Sequence, residues 1–97
     1  MLGIPKEIKP GETRVALTPA EVNILTKAKL KVLVETEAGQ AIGFNDQAYQ
    51  QAGATIAKDA KTLWQAADLI VKVKEPQPSE IKLIKAGQIL FCYLHLA

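Results

Sequence analysis

The chain has 97 residues, 48% hydrophobic and 23% charged, the size of one domain and the mix of an ordinary globular protein, which excludes disorder by composition. Its net charge of +2 is far from the basic excess of a dedicated nucleic-acid binder. One cysteine (Cys92) and one histidine (His95) exclude an internal disulfide and argue against a protein-only metal cage.

Leu2–Ile4 reads as a first strand ended by Pro5, followed by a charged loop punctuated by Pro10-Gly11. The opening Met1-Leu2-Gly3-Ile4-Pro5-Lys6-Glu7 meets a proline and charges within a few residues, so no signal-peptide apolar region is expected in it. Thr18-Pro19-Ala20-Glu21 predicts a helix start, with Thr18 capping, Pro19 at the first helical position and Glu21 closing a capping box. Val22, Leu25 and the pair Ile24/Ala28 supply its apolar face, and Lys27 and Lys29 suit the negative end of its dipole. Val32-Leu33-Val34 is a continuous apolar run, the mark of a strand buried on both faces. Asn45-Asp46 opens a short helix carrying Ala48, Tyr49 and Ala52, with Gly53 placed to end it. Residues 54–56 are a weak strand. Ala60, Leu63, Trp64 and Ala67 fall at helical spacing. A strand over 69–74 stops at Pro76, a short helix spans 79–84 and closes near Gly87, and 89–95 is the last strand. The apolar run 89–94 is far shorter than the roughly 20 residues of a membrane span. A reducing, cytoplasmic setting is the expectation.

No repeat, linker or low-complexity stretch interrupts this pattern. Strands separated by helices predict right-handed crossovers: an α/β fold of three layers, a mostly parallel sheet with helices on both faces, flavodoxin-like in order within the wider Rossmann-like class. A domain this small buries about 60–65% of its unfolded surface, so an active site is expected to open onto something outside the chain.

Ligands of open parallel sheets bind beyond the carboxyl ends of the strands. Arg14 follows the first strand, Lys74 ends a later one and His95 ends the last. A guanidinium, an amine and an imidazole together suit a small carboxylate bearing a carbonyl: a fork for the carboxylate, an ammonium for the carbonyl oxygen, an imidazole to move a proton. Each also has a plain reading. Arg14 can be a surface arginine, Lys72 and Lys74 solvated gatekeepers on an edge strand, and His95 a hydrogen-bonded structural histidine. Glu75-Pro76-Gln77-Pro78 stiffens the backbone after Lys74, which favours a held side chain. Gly39 and Gly43 read as loop glycines, and neither a G-x-G-x-x-G nor a P-loop occurs. Lys27, Lys29 and Lys31 read as a solvated face, Trp64 and Tyr49 as core or interface, and Cys92 as an inert thiol.

Gly3-Ile4-Pro5-Lys6-Glu7 and Glu12-Thr13-Arg14-Val15-Ala16-Leu17-Thr18-Pro19 resemble the opening of the alanine dehydrogenase and nicotinamide nucleotide transhydrogenase family. The likeness continues through Glu35 to Gly39 and Ala52-Gly53-Ala54, and covers essentially the whole chain. Lys72-Val73-Lys74-Glu75-Pro76 and Tyr93-Leu94-His95-Leu96-Ala97 resemble the alanine dehydrogenase branch in particular. The resemblance implies reversible NAD-dependent deamination of L-alanine to pyruvate. It casts Arg14 and Lys74 as substrate-binding residues, with Lys74 also catalytic, and His95 as the catalytic acid/base. It further implies that residues 1–97 are a truncated N-terminal substrate-binding domain, that NAD is bound mainly by a domain absent from this chain, and that the full enzyme is a hexamer without metal, nucleic-acid or membrane partners. As given, the chain is expected to be inactive. Lys29 stands where the family commonly has Gly. The alternatives are the matching domain of a proton-translocating transhydrogenase, which lacks the histidine motif, and a non-catalytic module that binds carboxylates or a partner.

Overall fold

All the strand-like runs form strands, and every pairing is parallel. The computed structural model describes residues 1–93. In chain order the elements are β1 (Leu2–Ile4), α1 (Pro19–Lys27), β2 (Val32–Glu35), a 3-10 turn (Gln40–Ile42), α2 (Asp46–Gln51), β3 (Thr55–Ala57), α3 (Ala60–Ala66), β4 (Leu69–Lys72), α4 (Pro78–Ile81) and β5 (Ile89–Cys92).

Strand order is β3-β2-β1-β4-β5. The α/β, three-layer reading therefore holds, and the flavodoxin-like order is corrected to the Rossmann-like one. In the flavodoxin order β1 lies between β2 and β3; here it lies between β2 and β4. The cause is the β3-to-β4 crossover, whose helix α3 carries the chain back beneath β2 and β1. Strand order reverses at β1/β4, and that is where a doubly wound sheet opens a crevice.

The two faces pack separately. Ile4, Val32, Val34, Val71 and Val73 meet Val22 of α1 and Tyr49 of α2 on one face. Leu33, Ala57 and Ile70 meet Leu63, Trp64 and Ala67 on the other, with Leu83 against them. Alternation along each strand thus fills both layers, as continuous apolar runs require. Trp64 and Tyr49 are core residues.

The termini of α1 follow the sequence closely. The Thr18 side chain accepts from the Glu21 N–H, and Glu21 accepts from the Thr18 N–H. At the far end Leu30 N–H reaches the Leu25 carbonyl and Lys29 N–H the Thr26 carbonyl, with Lys29 left-handed at φ 73°. This is a Schellman motif with a lysine where glycine is ordinarily placed. Asn45 caps α2, and Gly53, at φ 100°, follows its end. Three expectations are corrected. Ile24 is 69% exposed, because α1 rests on Val22 and Leu25 and turns Ile24 away from the sheet. β4 ends at Lys72, where the backbone bends, and α4 runs Pro78–Ile81. β5 is observed as Ile89–Cys92; the rest of the predicted strand, apart from Tyr93, lies outside the described residues.

Candidate functional site

The loop after β1 delivers Arg14. Glu12 N–H bonds the Lys9 carbonyl at 3.0 Å, with Pro10 and Gly11 between them and Gly11 at φ 85°. That is a type II turn, which takes Pro at its second position and needs positive φ at its third. Val15 and Ala16 are buried just beyond it and anchor the loop. Two tyrosines fasten it further: Tyr93 donates its hydroxyl to the Ala16 carbonyl at 2.9 Å and Tyr49 to the Leu17 carbonyl at 2.8 Å. Burial pushes the Tyr49 phenol up to about 12, so it remains a donor at any working pH.

Arg14 is held by its neighbour two residues back. Its Nε and Nη2 donate to the two oxygens of Glu12 at 2.9 and 2.8 Å, and its backbone N–H donates to Oε2 at 2.8 Å. The Arg14 side chain is 62% exposed, whereas that of Glu12 is only 5% exposed, covered by the guanidinium and the turn but close to solvent. The hydrogen bonds from Arg14, with its charge and that of Lys74, hold the Glu12 carboxyl down at about 2. The same contact raises Arg14 above its ordinary value. This fork-on-carboxylate geometry shows how the loop aims a guanidinium at the crevice.

Lys74 follows the bend at the end of β4. It lines a cleft of about 430 Å³ together with Arg14, Glu12 and the Lys9–Thr13 turn. The structure therefore brings together two of the three candidates, one from each side of the switch point. An ion pair between Lys9 and Glu75 ties the two segments across the cleft. Lys74 makes no ion pair among the described residues. His95 lies outside the described residues.

Lys72 is corrected. It is no solvated gatekeeper on an edge strand: β4 is internal, and Lys72 is fully buried between Glu7 (2.8 Å) and Glu80 (3.5 Å). Burial pushes the Glu80 carboxyl up, partly offset by the Gln77 N–H and the Lys72 charge. Sequence reading missed Glu7, Glu12 and Glu80. Glu12 carried a usable signal, a carboxylate two residues from an arginine across a Pro-Gly turn. Glu80 carried only a local capping signal, three residues after Gln77 with Pro78 between them, which did not announce its pairing with Lys72. Glu7 carried none, since its partners lie on an element distant in sequence.

A family described as "Alanine dehydrogenase/PNT, N-terminal domain" matches residues 3–97. The chain is 50% identical to alanine dehydrogenase of Bacillus subtilis over all 97 residues, and 50% identical to that of Methanococcus maripaludis. It spans 25% and 26% of those two proteins, about a quarter of each. Among solved structures, an L-alanine dehydrogenase superposes with a TM-score of 0.92 at 49% identity, over 97% of this chain and 26% of that one. A transhydrogenase from Sinorhizobium meliloti gives 0.88 at 33% identity, over 96% of this chain and 27% of that one. With its sheet order, its loop after β1 and its whole length accounted for, the chain belongs to the alanine dehydrogenase/PNT N-terminal domain family.

Proposed function

We propose that this chain is the N-terminal substrate-binding domain of an NAD-dependent L-alanine dehydrogenase, interconverting L-alanine, NAD+ and water with pyruvate, ammonium, NADH and a proton. The observation that carries the reading is the shared cleft of Arg14 and Lys74 at the β1/β4 switch point, in a chain half identical to alanine dehydrogenases. The Arg14 guanidinium, solvent-facing and held by Glu12 through Nε and one Nη2 hydrogen, turns its remaining Nη1 and Nη2 hydrogens to the substrate carboxylate. The Lys74 ammonium donates to the carbonyl oxygen of pyruvate and stabilises the negative charge that develops there, more in the transition state than in the ground state. His95, three residues beyond Cys92 in the sequence, exchanges the proton with water or the amine; imidazoles ordinarily titrate near pH 6.5, which suits that task.

NAD supplies the redox chemistry, and the residues present do not fit it. The connection from Pro5 to Thr18 contains one glycine, Gly11, and α1 begins at Thr18-Pro19, so no glycine-rich turn brings backbone close to a pyrophosphate. The cofactor belongs on the part of the enzyme outside this chain, and the isolated chain is inactive on this reading. A cytoplasmic enzyme and a homo-oligomer, a hexamer, complete the proposal; no described helix is long and apolar enough to cross a membrane.

Steady-state kinetics on the intact enzyme carrying this domain tests the assignment. Arg14→Lys should mainly raise the Michaelis constant for pyruvate, and Lys74→Ala should lower turnover strongly. His95→Ala should reduce turnover by roughly 100- to 10,000-fold with NADH binding nearly unchanged. Near-normal turnover in His95→Ala rejects the acid/base role. The likeness to a transhydrogenase favours a second reading, a domain serving nucleotide exchange without an amino-acid substrate. On that reading, the same three variants leave nucleotide exchange unaltered.

A further inference from the structure

One buried carboxylate has no part in the chemistry above. Glu7 lies in the loop after β1 with its side chain 2% exposed. Its Oε1 accepts from Lys72 Nζ at 2.8 Å and from the Lys74 N–H at 3.2 Å, and its Oε2 accepts from the Val73 N–H at 2.9 Å. In a regular strand consecutive N–H groups point to opposite edges. Here both turn to one carboxylate, because β4 ends at Lys72 and bends. β1, which pairs with β4 at Leu2↔Leu69 and Gly3↔Ile70, ends at Ile4 and has no further strand carbonyl to offer. The Glu7 side chain takes the place of the missing ladder. Lys72 continues the network to Glu80, whose Oε1 also accepts the Gln77 N–H at 2.9 Å where α4 begins. A continuous polar run therefore fastens the backbone on both sides of Lys74.

We propose that Glu7 is a positioning residue for Lys74: its carboxylate, held by Lys72, fixes the Val73–Lys74 backbone so that the Lys74 ammonium meets the carbonyl oxygen of a 2-oxo acid whose carboxylate lies on Arg14. This rests on the substrate reading of Arg14 and Lys74 given above. Two of the three partners are backbone N–H groups without rotamer freedom, and a site is held most closely where its support is locked in this way. The ammonium of Lys72 compensates a charge that would otherwise be buried alone. A glutamine at this position keeps the shape, yet it sets an amide donor against a cluster of donors and must lose at least one bond.

Titration of the chain with pyruvate and with propionate, which has the carboxylate but no carbonyl, followed by 1H–15N shifts, separates positioning from mere support. The unsubstituted chain is expected to prefer pyruvate. In Glu7→Gln the pyruvate affinity should fall by about tenfold, the scale of one charged hydrogen bond, while propionate affinity holds. Equal changes for both ligands, or none for either, overturn the proposal. Should Glu7→Gln not fold, amide exchange in the unsubstituted chain decides: Val73 and Lys74, beyond the end of β4, should be protected as Ile70 and Val71 are, and exchange at loop rates overturns the proposal. A pyruvate preference that survives Glu7→Gln rejects only the role of Glu7. Absence of any preference in the unsubstituted chain rejects the substrate reading, and the positioning role with it.

Discussion

Arg14 shows how much a single residue depends on its immediate neighbours. The type II turn brings Glu12 under the guanidinium, and the pair lowers the carboxyl from 4.5 to about 2. Because the folded value is depressed, what the pair contributes to stability is present above the ordinary glutamate range and is lost as pH falls toward 2. The contribution is small, since Arg14 is solvent-screened. A carboxyl-carbon NMR titration should place the Glu12 midpoint near 2 in the unsubstituted chain and move it up toward the ordinary range in Arg14→Gln, which keeps the backbone N–H bond and the Lys74 charge but loses the guanidinium. An unmoved midpoint would show that the guanidinium is not its main cause. Lys29 is a second residue-scale case. A lysine at φ 73° bears a left-handed strain of about 1–2 kcal/mol, and glycine's greater freedom in the unfolded chain returns part of it. Lys29→Gly should therefore stabilise by about 0.5–1 kcal/mol in thermal unfolding, and destabilisation would contradict the strain argument. That Arg14 and Lys74 share one edge was readable, because topology sends residues after β1 and β4 there; topology left their plain surface readings open, and only the family resemblance cast them as substrate-binding. Lys72 was not: alternation with Val73 reads the same on an edge strand as on an internal one, and only the pairing with Glu7 and Glu80 shows which holds.

Elements are set by local signals at their ends and by close approach at their middles. The ends of α1 were legible because a capping box is a four-residue pattern whose partners are contiguous. The ends of β4 and β5 were less so, since a strand stops where its neighbour stops, and the neighbour is remote in sequence. Gly3 illustrates a contact no local pattern announces. A Cβ there would stand 2.6 Å from the Ala67 Cβ and 3.1 Å from Ile70 Cδ1, so glycine lets the α3 end settle onto β1. Gly3→Ala should destabilise by about 1–3 kcal/mol through overpacking, read from denaturant midpoints. A neutral substitution would mean that α3 can withdraw at no loss.

At the scale of the molecule, the crossover through α3 determines where the cleft shared by Arg14 and Lys74 lies. Had β3 paired with β1, as in the flavodoxin order, the loops carrying Arg14 and Lys74 would not face each other across a strand reversal. Alternating strands and helices were enough to establish the class of fold, but strand order depends on which way one crossover travels, and composition along the chain does not encode that direction. The chain also spans about a quarter of the alanine dehydrogenases it matches, and its β1–α1 loop offers no dinucleotide cradle. The isolated chain should accordingly show no alanine-dependent NAD reduction; turnover by a preparation free of intact enzyme would refute the division of labour. The most direct test of a substrate site at the switch point is shift mapping of pyruvate on the unsubstituted, 15N-labelled chain. Saturable shifts should gather at Gly11, Glu12, Thr13 and Arg14 on one side and at Val73, Lys74 and Glu75 on the other, and vanish in Arg14→Gln. Shifts gathered instead at the opposite edge of the sheet, around Lys29, Leu30 and Lys31, or no saturable shift at all, would contradict it.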